Sequence, residues 1–231
     1  MIVHRLGTVE YLEARALQEA ARGRVLAGGE DELLLLEHPP VVTLGKRGGL
    51  VDRSALAALD TPVIQADRGG LATWHGPGQL VGYPVVDLPR SGHTVWAFVE
   101  ALGEAMVQVC RDLGVKEARY DGERPGVYVA STKLGAIGLH IHRGVTTHGL
   151  ALNVRCSLEG FRAIVPCGLQ GIAAGTLSEI CGRDVPMEEV TEALLTSWPT
   201  AASPSPAPPA AGAAGAGAAL WPLGGAPVLR R

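Results

Sequence analysis

The cysteine of Ile164-Val165-Pro166-Cys167-Gly168-Leu169 is the one thiol of this chain that is placed for chemistry. Proline fixes φ and removes a backbone donor, and glycine lets backbone come close to a ligand, so a thiol between them can face a substrate. The other three cysteines read as small core hydrophobes. Cys110 falls on the helical stripe Val95, Phe98, Val99, Leu102, Met106, Val109, Leu113. Cys156 continues the strand alternation Leu150, Leu152, Val154, and Cys181 closes the run Leu177, Ile180 before the helix stop Gly182. A free thiol is only a few per cent thiolate at neutral pH, and on its flanks alone Cys167 reads equally as a buried loop cysteine.

Three further segments carry groups that suit a ligand. The first is Arg68-Gly69-Gly70-Leu71-Ala72-Thr73-Trp74-His75-Gly76-Pro77-Gly78-Gln79. Its four glycines and one proline exclude a plain helix or strand and read as a surface turn or a site. It has neither the lysine and Ser/Thr of a phosphate-binding loop nor the spacing of a dinucleotide fingerprint. The second, Ser131-Thr132-Lys133-Leu134-Gly135-Ala136-Ile137-Gly138-Leu139-His140, carries Lys133, which on these residues alone reads as an exposed hairpin lysine. His140 and His142 alternate onto one strand face and read as solvated. No acidic or cysteine partner is spaced to make them a metal site, so no metal is expected. The third, Thr146 to Val154, is a strand entry whose early residues can line the same cleft.

The elements that hold these segments follow from periodicity. Met1 to Arg5 opens a strand and is not a signal peptide. Residues 8 to 22 carry Val9, Leu12, Ala16, Leu17 and Ala20 at helical spacing. Leu33–Glu37 and Val41–Leu44 are strands around the breaker His38-Pro39-Pro40, and a short helix over 54–59 takes Ser54 as its cap. Strands follow at 63–66 and 80–88, a helix at about 93–113, and a meander at 127–130, 136–141 and 146–154. Residues 161–165 lead to the Cys167 loop, then a helix ends near Cys181, and a last helix spans about 187–197. Adjacent strands mixed with helices argue α/β of the α+β kind, a mixed sheet with flanking helices, in one domain over 1–198. Ala, Pro, Gly and Ser fill 199–219, so 199–231 reads as a disordered tail.

Composition narrows the function. A net charge of −3 gives no overall basic bias toward nucleic acid, and two Phe, four Tyr and four Trp make a poor base-stacking platform. The run Leu33–Leu36 is too short to span a bilayer. Four cysteines without framework spacing suggest a reducing, cytoplasmic setting.

Taken together, RGGLATWHGPGQLVGYPVVDL, KLGAIGLHIHRGVTTHGLALNV and IVPCGL, preceded by EHPPVVTLGKRG, strongly resemble the octanoyltransferase family of lipoate biosynthesis over about residues 1–195. The resemblance implies a biotin/lipoate protein ligase-like fold and no cofactor. It implies transfer of an octanoyl group from octanoyl-acyl carrier protein to a lysine of lipoyl domains. Those domains belong to 2-oxoacid dehydrogenase E2 subunits and to the glycine cleavage H protein. It makes Cys167 the acyl-thioester nucleophile and Lys133 the residue that tunes it. It lays the acyl chain along Arg68, Gly69, Gly70, Leu71, Ala72, Thr73, Trp74 and His75. It adds contacts to Ala136, Ile137 and Gly138, and to Gly149, Leu150 and Ala151. Trp74 stands where the family often has a smaller ring. Lys46, Arg47 and Arg143 are basic residues near loop ends that suit an acidic carrier. Three rivals stay open on the residues. One is an ATP-dependent ligase on the same fold, whose glycine loop runs on through an acidic residue where this chain has Gly76-Pro77-Gly78-Gln79. A non-catalytic carrier-binding protein is the second. A papain-like hydrolase is the third, although here His75 and His148 both precede the cysteine.

Overall fold

The computed structural model describes residues 1–165 and 172–199; Cys167 and the segment from 200 onward lie outside the described residues. The first half runs β1 (Ile2–Thr8), α1 (Tyr11–Leu26), β2 (Glu32–Glu37), β3 (Val41–Leu44), β4 (Leu50–Val51), α2 (Arg53–Ala58), β5 (Val63–Gln65), β6 (Thr73–His75) and β7 (Gln79–Val85). Then come α3 (Leu88–Ser91), α4 (Val95–Asp112), β8 (Arg119–Asp121), β9 (Gly126–Val129), β10 (Thr132–His142) and β11 (Val145–Asn153). The last elements are α5 (Glu159–Arg162), β12 (Ile164–Val165), β13 (Ala173–Ala174), α6 (Leu177–Cys181) and α7 (Met187–Thr196).

The main sheet has the order β1-β2-β7-β11-β10-β9-β8, with β13 added beside β10. It is mixed: β1 pairs β2 and β13 pairs β10 in parallel, and the other neighbours are antiparallel. A short sheet β5-β3-β6 and the pair β12-β4 stand apart from it. β7 is buried at every position. Its Leu80 joins the core under α4 and α7, and its Val81, Tyr83 and Val85 join the core under α1. The helices therefore cover opposite faces, as a strand apolar on both sides requires.

α4 forms as its periodicity says. Thr94 caps it by accepting from the Ala97 amide, and Phe98, Leu102, Met106, Val109 and Cys110 turn inward. α1 does not turn the expected face inward. Tyr11, Ala14, Gln18, Ala21 and Val25 are buried, whereas Leu12, Ala16, Leu17 and Ala20 are exposed. Small side chains let α1 lie close on β7 and β11, and that closeness outweighs the larger apolar side chains opposite. The cap of α2 is Asp52, whose carboxylate accepts from the Ala55 amide, and not Ser54. The strand expected to reach Leu88 stops at Val85, because Asp87 caps the short helix α3. Residues 159–162 form a helical turn before β12, where a single stretch of 161–165 was expected. α6 ends at Gly182 in the left-handed conformation, as expected.

Candidate active site

A cavity of about 920 Å³ opens between the main sheet and the small sheet. Its floor is β10, β11 and β7. Ala136 lies opposite Ala151, Gly138 opposite Gly149, and Asn153 opposite Gln79. The roof is the glycine segment. It is mostly buried and not a surface turn, and it includes the three-residue strand β6.

Arg68 holds that roof. Its Nε and Nη2 donate to Thr43 Oγ1 at 3.1 and 2.8 Å, Nη2 donates to the Thr43 carbonyl at 2.6 Å, and Nη1 donates to the Gly69 carbonyl at 2.9 Å. The guanidinium is thus spent on Thr43 and the Gly69 carbonyl and acts as a clamp. Next to it, the Gly69 amide donates to the Leu139 carbonyl at 2.9 Å, strapping the loop onto β10. A Cβ on Gly138 would stand 3.0 Å from the Gly69 carbonyl oxygen, so the bare strand is what lets the loop lie down.

His75 is fixed by a chain of amides. Its Nδ1 donates to Gln79 Oε1 at 2.7 Å, Gln79 Nε2 donates to Asn153 Oδ1 at 2.9 Å, and Asn153 Nδ2 donates to the Gly175 carbonyl at 3.0 Å. That leaves Nε2 as the unprotonated nitrogen. Burial, reinforced by neighbouring His38, pushes the His75 pKa down to about 3, so the ring is neutral. Beyond it, His38 Nδ1 donates to the Val9 carbonyl at 2.7 Å and Nε2 accepts from Tyr83 at 2.7 Å. Tyr11 packs edge-on against His38 with its hydroxyl buried and unpartnered among the described residues. His148 donates from Nε2 to Asp67 at 2.7 Å, and that bond holds the Asp67 carboxyl well below the usual range.

Lys133 lies on β10, cross-strand from Tyr128 and beside Ala174 of β13. It lines the cavity and is partly buried, not an exposed hairpin residue. Burial pushes its pKa down to about 8, against an opposing pull from Asp121. Ile164 and Ile172, described residues on either side of the Cys167 segment, both line the same cavity.

The cavity brings together Lys133, Arg68, Gly69, Gly70, Leu71, Ala72, Thr73, His75, Ala136, Ile137, Gly138, Gly149, Leu150 and Ala151. Trp74 is the exception. Strand alternation turns its ring away from the cavity, over Gly76 and Gly160 and edge-on to Phe161 in a small core of its own. Tyr11, Tyr83, Asn153 and Arg124 line the cavity without having been singled out in the sequence. Tyr11 and Arg124 fall in no motif, and Tyr83 and Asn153 sit inside motifs with no role assigned; tertiary contact brings all four in. His140 is partly buried and not solvated, with Nδ1 accepting from Lys46 at 3.2 Å and Nε2 3.6 Å from Asp67. Among the described residues, no group of three His, Cys, Asp or Glu is placed to hold a metal ion. Cys110 and Cys156 are buried as expected, and burial pushes both thiols up to about 12. Cys181 is only partly buried, and burial raises its pKa too.

The model of the lipoyl protein ligase A/B catalytic domain matches residues 10–198. The octanoyltransferase of Mycobacterium sp. (strain KMS) is 48% identical over 198 residues, covering 83% of this chain and 81% of that protein. The chain belongs to the lipoyl protein ligase A/B family. Solved structures carry the same fold. The bi-partite lipoate protein ligase of Thermoplasma acidophilum superposes with a TM-score of 0.64 at 19% identity, over 85% of this chain and 82% of that one. The biotin protein ligase of Aquifex aeolicus, in complex with biotin and ATP, gives 0.52 at 16% identity, over 85% and 68%. The mixed sheet with flanking helices is therefore the lipoate and biotin protein ligase fold, as the sequence led one to expect. Among the described residues no helix is long and apolar enough to cross a membrane.

Proposed function

We propose that this member of the lipoyl protein ligase A/B family is an octanoyltransferase. In this reading it moves an octanoyl group from octanoyl-acyl carrier protein to the lysine of a lipoyl domain, through a thioester on Cys167. The observation that carries the reading is Lys133, a lysine with a depressed pKa on the wall of a cavity bordered by both described flanks of the Cys167 segment. The 48% identity to a protein named octanoyltransferase supports the choice of acyl group.

At neutral pH the ammonium of Lys133 favours the Cys167 thiolate. The thiolate attacks the donor thioester carbonyl, a new S–C bond forms, and the carrier thiol leaves as the old one breaks. The acceptor amine then attacks the Cys167 thioester and the Cys167 thiolate departs. Lys133, with its pKa near 8, is poised to take the amine's proton in its neutral form. The small floor residues Ala136, Gly138 and Ala151 leave room for an aliphatic chain. A thioester donor is already activated, so no nucleotide is needed. The ATP-dependent ligase reading differs at that point.

The test is loading. Octanoyl-acyl carrier protein alone should place one octanoyl group on Cys167 without ATP, released by neutral hydroxylamine and discharged by a lipoyl domain. Cys167→Ser should lose most turnover, and Lys133→Ala should move Cys167 alkylation to higher pH. An absolute ATP requirement, or the acyl group on Cys110, Cys156 or Cys181, would overturn the reading.

A further inference from the structure

Tyr128 lies at the centre of β9, 1% exposed, yet three cations surround its ring. Lys133 Nζ is 5.3 Å from the ring centroid, and the Arg119 and Arg124 guanidinium carbons are at 5.5 and 6.0 Å. Sheet register explains two of them, because Tyr128 stands opposite Lys133 on β10 and opposite Arg119 on β8. The third comes from the β8–β9 turn. Tyr128 donates its hydroxyl to the Arg124 carbonyl at 2.9 Å. Asp121 closes the same turn, accepting from the Glu123 and Arg124 amides at 3.0 and 3.2 Å and pairing with the Arg124 side chain at 2.9 Å. Glu123, Arg124 and Pro125 of that turn form part of the cavity wall. The stem of Lys133 crosses Gly126, where a Cβ would stand 2.8 Å from Lys133 Cε and 2.3 Å from the Gly135 carbonyl oxygen.

Among the described residues Lys133 makes no ion pair. A carboxylate partner would pin the ammonium and neutralise its field. An aromatic face holds a cation in place and leaves its charge to act on a third group. The groups facing Lys133 are Asp121, which draws the proton on, Arg124, which repels it, and the ring between them. We infer that Tyr128 is the positioning residue for Lys133: its ring seats the ammonium, and its hydroxyl fixes the turn that walls that seat. The inference rests on the reading of Lys133 as the partner of Cys167.

The chain has only three lysines, Lys46, Lys116 and Lys133, so protein carrying [13C]lysine gives few and assignable side-chain signals. In the wild-type protein the Lys133 Hε signals should be displaced upfield by the Tyr128 ring. Tyr128→Phe should keep that displacement. Tyr128→Met should abolish it, raise the pH midpoint of Cys167 alkylation by about one unit, a tenfold loss of thiolate at fixed pH, and lower kcat with little change in KM. Undisplaced Lys133 signals in the wild-type protein overturn the inference without recourse to any variant. So does a Tyr128→Met protein that keeps the wild-type alkylation profile while Lys133→Ala shifts it. An alkylation profile indifferent to Lys133→Ala itself would instead sink the reading of Lys133 on which the inference rests.

Discussion

Tyr11 lines the cavity and keeps its hydroxyl buried with no partner among the described residues, and burial pushes its pKa up to about 12. A buried polar atom left unpaired costs the fold free energy, so its removal should not hurt. Tyr11→Phe is expected to leave stability unchanged or raise it by about 1 kcal/mol, read from urea unfolding midpoints. A loss beyond 1 kcal/mol would mean that the hydroxyl has a partner. At this scale the sequence was informative where a residue type is constrained by chemistry. The glycines of the Arg68 and Lys133 segments stand out because few other reasons put them there, whereas Lys133 reads as a hairpin lysine until the resemblance singles it out. Trp74 misled because it sits inside such a motif, yet strand alternation turns its ring away from the cavity. Tyr11 left no trace, since an isolated tyrosine reads as ordinary core, and Tyr83 sat inside a motif without a role.

His75 ends β6 and its ring bonds Gln79 at the start of β7, so its effect on stability belongs to the elements it joins. Its folded pKa of about 3 lies below the ordinary value of 6.5, so the unfolded chain takes up the proton first. Stability is therefore full above about pH 6.5 and is lost as pH falls toward 3. The wild-type advantage over His75→Asn in urea should shrink across that window, and a constant difference would show that folding leaves the His75 pKa unshifted. Elements with a wide apolar stripe were legible. α4 is the clear case, with Thr94 before it and Phe98, Leu102, Met106 and Val109 at helical spacing. The inward face of α1 was not, because Ala14, Gln18 and Ala21 bury little apolar surface and the larger leucines point to solvent. Its packing is decided by how close two backbones can come, which a hydrophobic pattern does not record. Asp52 took the cap from Ser54 for a similar local reason, since either residue type serves and only the backbone register chooses.

Across the whole molecule, charge placement separates the basic residues that sequence alone groups together. Arg47 rims the cavity, Lys46 donates to His140, and Arg143 occupies the β10–β11 hairpin tip next to Gly144, which packs on Pro89 of α3. Arg47→Glu should raise KM for octanoyl-acyl carrier protein at low salt, and Arg143→Glu should not; equal effects would place the docking surface elsewhere. Truncation after Pro199 should leave melting temperature and activity nearly unchanged. A cut that also removes Trp198, 9% exposed in the main core, should cost about 3–5 kcal/mol. The order of the main sheet also matters while the chain is being made. β7, buried on every residue, takes one neighbour from residues 32–37 and the other from residues 145–153. At about 5–20 residues per second, β11 is completed roughly 3–14 s after β7 has been synthesised. For those seconds a newborn chain displays Leu80, Val81, Tyr83 and Val85 along an open edge, and the cavity floor still lacks β11. The ribosome therefore hands the cell an adhesive strand before it hands over a binding site, and holding that edge apart from other chains is a task for whatever meets the polypeptide first.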